Sequence, residues 1–239
     1  QAELAQHYGL VEASFPVEWL PRRALLRGYD FGWQAVRRAR ASGAQIVYTR
    51  HFQAAAFASL SGLPTVLEIH DLPTGGAAAA LVRLYLAGRG AARVVFISTI
   101  LARDFQQKLN HPKIEQLALV APDGIDLERY RDLPGPAAAR RALIDEGKVA
   151  DLPEDSFTAG YTGHLYAGRG VELLLELAAR LPQVRFLLVG GEPQDIQRVQ
   201  AQAANLANLH LTGFIPNAEL PRYQAACDAL LMPYQRQVA

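Results

Sequence analysis

Residues 157–193 read FTAGYTGHLYAGRGVELLLELAARLPQVRFLLVGGEP and contain the pattern that settles the fold class. Two short apolar segments, 157–163 and 184–190, flank a stretch whose apolar residues recur at helical spacing. Both segments are largely apolar and end in glycine, as expected for strands that are buried on both faces. A strand, a glycine-rich turn, a helix and a second strand form the βαβ unit of a parallel sheet. The sequence therefore predicts an α/β fold here.

The same alternation extends in both directions along the chain. Further strands are predicted at 45–49, 65–69, 93–97, 117–121, 209–213 and 229–233. Helices are predicted at 22–41, 51–61, 77–89, 99–109, 170–181, 194–205 and 217–227. Residues 122–155 are rich in proline, glycine and charge around one short helix, which predicts a linker. The architecture expected is two Rossmann-like, doubly wound parallel-sheet domains, at 1–135 with a linker to about 155, and at 156–239.

Composition excludes several classes of protein. The 239 residues include 24 Lys+Arg and 23 Asp+Glu, and a net charge of +1 argues against a nucleic-acid partner. The single cysteine, Cys227, excludes a disulfide framework and is predicted to be a buried thiol. No apolar run approaches the ~20 residues of a membrane-spanning helix, and no secretory signal is visible. We therefore expect a cytoplasmic protein.

The turn at 163–170 has the features of a phosphate-binding loop. Glycines let backbone N–H groups approach an anion, and the N-terminus of the following helix adds partial positive charge. Arg169, directly before that helix, has a guanidinium suited to a phosphate. The alternative is an ordinary strand–turn–helix junction with a solvated arginine. The turn lacks the G-x-G-x-x-G fingerprint, which disfavours a nicotinamide cofactor.

Several motifs together, covering most of residues 45–234, resemble the family 4 retaining glycosyltransferases of the GT-B fold. Gly163-His164-Leu165 and Arg169-Gly170 have the spacing of that family's G-R-L and K-G pair, and a strand ending in VGG follows. Residues 209–234 are similar to the family segment that ends in proline and serine. EIHD at 68–71 and APDGIDLERY at 121–130 are similar to two motifs of the first domain.

The resemblance implies a retaining glycosyltransferase that uses a nucleotide-diphosphate sugar as donor and no metal cofactor. The first domain would bind a saccharide or lipid-linked acceptor, and His70 would be the catalytic residue near the transferred sugar. His70 and Asp71 could equally form a simple turn at the end of a strand. The implied donor-binding residues are Gly163, His164, Arg169, Gly170, Gly190, Gly191, Phe214, Ile215 and Pro216. His164 replaces a usual arginine, and a histidine is a weaker phosphate ligand unless it is protonated.

Two further expectations concern metals and the extent of the chain. There is no D-x-D motif and no helical pair of histidines, so no metal site is expected. The family's E-x7-E motif would lie beyond Ala239, and its glycine-rich first loop before Gln1. The second domain is therefore expected to be partial, and this chain by itself to be unable to turn over the donor.

Two rival functions and one surface remain open. The rivals are a non-catalytic, two-lobed sugar-binding protein and a GT-B sugar-nucleotide epimerase. Residues 19–41 mix arginines with Trp19, Leu25, Leu26 and Trp33. This mixture could rest on an anionic membrane surface, such as the inner face of the membrane. More often such a helix packs on its own sheet with its arginines in solvent.

Overall fold

The computed structural model describes residues 15–150 and 152–234. The chain forms two compact units, of which one comprises residues 18–125 and the other begins at Asp126. Among the described residues, no helix combines the length and the apolar composition that crossing a membrane requires.

The first unit is a four-stranded parallel sheet with strand order β1-β2-β3-β4. Its strands are β1 (Val47–Thr49), β2 (Thr65–Ile69), β3 (Ala91–Phe96) and β4 (Ala118–Val120). Its helices are α1 (Tyr29–Ala41), α2 (Phe52–Leu60), α3 (Gly75–Ala87), α4 (Thr99–Leu109) and α5 (Pro112–Leu117). Apolar residues of β2 and β3 pack with Tyr85 and Phe105 in one buried core. Tyr85 keeps its hydroxyl satisfied there by donating to Thr65 O and Arg93 O, at 2.8 and 2.7 Å.

The second unit is also a parallel sheet, with strand order β7-β6-β5-β8. Its strands are β5 (Thr158–Thr162), β6 (Arg185–Val189), β7 (Leu209–Leu211) and β8 (Ala229–Leu230). Its helices are α6 (Pro136–Asp145), α7 (Val171–Arg180), α8 (Pro193–Gln202) and α9 (Leu220–Ala225). Parallel sheets with this βα alternation confirm the predicted fold class. Cys227 is buried in this unit, as predicted.

The predicted linker contains a helix that is built into the second unit. Ala139 and Leu143 of α6 share a buried cluster with Tyr223 of α9. Arg140, only 3% exposed, donates to Ala226 O and to the Asp228 carboxylate, both at 2.9 Å. The structure therefore divides the chain at residues 125 and 126, upstream of the boundary expected at 135.

The helix predicted over 22–41 is interrupted in the structure. A 3₁₀ turn, Ala24–Leu26, precedes α1, and Arg27 and Gly28 between them have φ of 45° and 85°. These left-handed conformations cannot continue a right-handed helix. The Arg27 carbonyl accepts a hydrogen bond from Gln53 Nε2 at 3.0 Å, which ties this break to α2.

Candidate functional site

The second unit has a pocket at the carboxyl ends of its strands. This is the edge where open parallel α/β sheets bind ligands. The pocket has a volume of about 310 Å³. It is lined by Gly163, His164, Val189, Gly190, Gly191, Glu192, Phe214, Ile215, Asn217 and Leu220. Six of the nine predicted donor-binding residues are therefore brought together, from turns after β5, β6 and β7.

The glycine turns are fastened to each other by backbone hydrogen bonds. Gly163 N–H donates to Val189 O, and Gly190 N–H donates to Gly213 O, each at 2.9 Å. The N–H of Gly163 is thus engaged inside the protein, and it is not the phosphate donor that its sequence position indicated. The glycines instead let the turns after β5, β6 and β7 approach one another closely. Because glycine has no side chain, the space at the ends of these strands stays open.

His164 is exposed at the edge of this pocket, as are two other polar lining residues, Glu192 and Asn217. The carbonyl of His164 accepts a hydrogen bond from Tyr161 Oη at 2.7 Å, which holds the turn after β5 in place. Burial raises the pKa of Tyr161 to about 12, so its hydroxyl stays protonated and keeps donating at neutral pH. The His164 and Tyr166 rings lie 5.6 Å apart.

Arg169 lies beside the pocket, outside the group of residues that line it. Its guanidinium is stacked between two rings, 4.8 Å from the centre of Tyr166 and 5.1 Å from that of Tyr234. It also donates a hydrogen bond to the Tyr166 hydroxyl. Its Nε is buried and has no hydrogen-bond partner among the described residues. A guanidinium has five N–H donors, so this arrangement orients the group and leaves donors for an anion.

The other two predicted residues have structural positions near the pocket. Gly170 is the N-cap of α7. Pro216 accepts a hydrogen bond from Glu219 N–H at 2.9 Å and so opens the turn into α9. Neither lines the pocket.

Sequence reasoning missed Arg198, which supports the pocket from α8. Its guanidinium donates to the carbonyl of Leu165, two residues after Gly163. It also pairs with Asp195 at 3.4 Å and with Glu172 at 3.6 Å. No local motif signals these contacts, because they join residues up to 33 positions apart.

His70 lies at the carboxyl end of β2, in a separate pocket of about 600 Å³ in the first unit. Its Nε2 is 2.5 Å from Oε1 of Glu68 and 3.9 Å from Oδ1 of Asp123. Arg50 and Asp71 also line this pocket. The hydrogen bond from His70 lowers the pKa of Glu68, so Glu68 is a carboxylate that fixes the orientation of the histidine ring.

Glu68, His70 and Asp123 are of metal-ligating types, and their ligand atoms lie within 4.8 Å of one another. Reasoning from histidine spacing did not find this group, because only Glu68 is near His70 in sequence. The sequence did offer one signal for this group. Glu68 is a charged residue within an otherwise uncharged strand, two positions before His70 and therefore on the same side of the chain. Asp123 comes from the turn after β4, which lies two strands away from β2 in the sheet, so only the fold brings this carboxylate near His70.

Residues 156–238 match the family model described as glycosyl transferases group 1. A 2-deoxystreptamine glucosyltransferase from Streptomyces kanamyceticus is 33% identical over 121 residues, which are 48% of this chain and 30% of that enzyme. The second unit of this chain is therefore similar to the group 1 glycosyltransferases. The match spans the pocket residues of the second unit, so the resemblance inferred from their spacing is confirmed.

Solved structures extend the likeness to both units. Anabaena HepE, crystallised with UDP and glucose, is similar with a TM-score of 0.69 and 21% identity, over 96% of this chain and 62% of HepE. A sucrose-phosphate synthase from Thermosynechococcus elongatus is similar with a TM-score of 0.66 and 18% identity, over 92% and 58% of the two chains. At these identities the likeness shows the GT-B fold. The chain spans under a third of the Streptomyces enzyme and about three fifths of these structures.

The two rival functions are not favoured by these comparisons. The matching family model and the Streptomyces relative both describe sugar transfer. Neither describes a non-catalytic sugar-binding protein or an epimerase.

Proposed function

We propose that this protein transfers a sugar from a nucleotide-diphosphate-sugar donor to a saccharide or lipid-linked acceptor, with retention of configuration. The observation that carries the proposal is the pocket at the ends of β5, β6 and β7. It gathers residues from three turns that the family resemblance assigns to the donor. The UDP in the HepE structure supports a nucleotide ligand of this kind.

In this proposal the nucleotide base lies against Phe214 and Ile215. Phe214 is 61% exposed, so its ring offers a stacking surface. The diphosphate lies toward His164 and Arg169, which stabilise the charge that develops as the donor bond breaks. The Arg169 guanidinium is already held by two tyrosine rings, so it loses little further conformational freedom when it binds the diphosphate.

The first unit would supply His70 and bind the acceptor. Glu68 holds the His70 ring through the 2.5 Å hydrogen bond, so one ring nitrogen is fixed and the other is left for the sugar. The family resemblance places a histidine of this kind near the transferred sugar. We assign no protein nucleophile.

A cytoplasmic location belongs to the same proposal. Burial raises the pKa of the Cys227 thiol to about 12, which makes it an unreactive thiol of the core. A single buried cysteine fits a reducing compartment, where nucleotide sugars would be the donors.

Nucleotides are expected to stabilise this chain against heat. A ligand that binds only the folded state raises the melting temperature, by an amount that grows with its concentration over its Kd. UDP, GDP or ADP, or their sugars, should therefore raise the melting temperature more than free monosaccharides do. Differential scanning fluorimetry of the 239-residue chain measures this directly.

A panel in which only free monosaccharides raise the melting temperature would contradict the proposal. It would support a sugar-binding protein without a nucleotide donor. Uridine, guanosine and adenosine, which have the same bases and ribose but no phosphate, are the matched controls for the diphosphate contribution.

Binding and transfer are expected to survive removal of metal ions. In this proposal side chains meet the diphosphate charge, so EDTA should leave both the nucleotide-induced rise in melting temperature and any transfer activity unchanged. Loss of either in EDTA, with recovery on adding magnesium, manganese or zinc, would overturn the metal-free part of the proposal. Glu68, His70 and Asp123 would then be the first residues to replace.

A further inference from the structure

Residues 18–26 form a strap that is held along one stripe of α1. Glu18 pairs with Arg38 at 2.8 Å, Pro21 O accepts from Gln34 Nε2 at 3.2 Å, and Arg23 N–H donates to Asp30 at 2.7 Å. Asp30, Gln34 and Arg38 are spaced by four residues, so they lie on one face of the helix. The strap is therefore fixed at three points along α1.

The strap holds large apolar side chains out in solvent. Four residues form what we call the apolar patch: Trp19, Leu25, Leu26 and Trp33 are 82%, 96%, 44% and 60% exposed. Trp33 keeps only an edge contact with Phe57, with ring centres 6.3 Å apart. Side chains of this size are usually buried, and a cluster of them at the surface marks an interaction site.

Positive charge surrounds the apolar patch. Residues 18–41 contain six arginines and two acidic residues. Both acidic residues are already engaged within the strap, Glu18 with Arg38 and Asp30 with the Arg23 backbone. Arg22 and Arg37 are exposed and form no ion pair with any residue that the structure describes. The surface around the patch is therefore cationic.

We propose that the apolar patch docks this protein on an anionic phospholipid surface. Tryptophan and leucine can enter the boundary between headgroups and acyl chains, while arginines stay at the level of the lipid phosphates. A second copy of the chain fits less well, because pairing the same patch would bring two arginine-rich surfaces together. This proposal does not depend on the proposed donor pocket, and the donor pocket does not depend on membrane docking.

The chain offers a direct reporter of this contact. Its two tryptophans, Trp19 and Trp33, both belong to the apolar patch. Vesicles of phosphatidylcholine with one third phosphatidylglycerol should shift tryptophan emission to shorter wavelength, and brominated acyl chains should quench it. Vesicles of phosphatidylcholine alone should give a much smaller shift, and added salt should weaken binding to the anionic vesicles.

Variants separate the apolar and the cationic parts of the surface. Leu25→Asp should weaken vesicle binding at least ~10-fold, because the variant loses an apolar side chain that would enter the bilayer and places a carboxylate there. Ile100→Asp, at a 64% exposed position of α4, is its control. Arg22→Gln with Arg37→Gln should cost about 5-fold for each arginine, and Arg103→Gln on α4 should cost little. Thermal melting of each variant checks that the fold is kept.

Two results would overturn the proposal. One is unchanged tryptophan emission with anionic vesicles at low salt. The other is an emission shift that follows protein concentration without lipid, together with a dimer in sedimentation velocity, which would assign the patch to a protein contact.

Discussion

Replacing Arg169 by alanine is expected to raise the Kd of this chain for UDP or another matching nucleoside diphosphate about 10- to 100-fold. A hydrogen bond to a charged group contributes roughly 1.5–3 kcal/mol, and each ~1.4 kcal/mol is a factor of ten in Kd. Arg169 is held between Tyr166 and Tyr234, so its orientation is set before the ligand arrives. Isothermal titration calorimetry measures the change.

Arg180→Ala is the matched control for this variant. Arg180 ends α7, and its partner is Glu176, at 2.5 Å in an exposed i,i+4 pair. Such surface pairs contribute little to stability, and Arg180 lies outside the pocket. Equal Kd values for the two variants would mean that Arg169 is a surface charge stacked on tyrosines, and the donor site would have to be placed elsewhere.

The fold was predictable because its strands carry a strong local signal. The segment 65–69 was predicted from sequence with the bounds that β2 has in the structure. Strands buried on both faces of a parallel sheet read as continuous apolar runs, and glycine or proline bounds them. Their alternation with helices then restricts the topology to parallel sheets with right-handed crossovers.

Elements that depend on contacts distant in sequence were less predictable. The stretch 122–155 has the composition of a linker, yet Arg140 within it reaches Asp228, 88 residues away. α5, Pro112–Leu117, is six residues long and too short for a clear helical period. The interruption of the predicted helix at Gly28 depends on left-handed backbone angles. A single glycine within a helical pattern does not predict such angles.

In the candidate sites, too, features with a local sequence signal were predicted, and features that depend on distant contacts were not. The turns after β5 and β6 were predicted, because glycine after an apolar strand is a local signal. The partners of those turns were not, since Val189, Gly213 and Arg198 meet them only through the fold. Likewise His70 was expected at the end of its strand, whereas Asp123 meets it only through the fold, because its turn follows β4, two strands away from β2.

Gly190→Ala is expected to cost on the order of 2–4 kcal/mol of unfolding free energy and to abolish nucleotide binding. At φ +113° the backbone is in a region that an L-residue rarely adopts, and the new Cβ would lie 2.4 Å from the carbonyl oxygen of Gly163. Relief of this clash must separate the turns after β5 and β6. The same movement would break the hydrogen bonds at 2.9 Å that hold Gly163 to Val189 and Gly190 to Gly213.

The control for Gly190→Ala is Gly147→Ala, because it tests a positive φ without a clash. Gly147 belongs to the same unit, has φ +66°, and has no atom within 4 Å of the position of a new Cβ. Its replacement should cost about 1 kcal/mol, the strain of a left-handed residue, and should leave the Kd for nucleotide unchanged. Urea unfolding and calorimetric titration compare the two variants. If both lose the same free energy of unfolding and both still bind nucleotide, close contact between the glycine turns is not what forms the pocket.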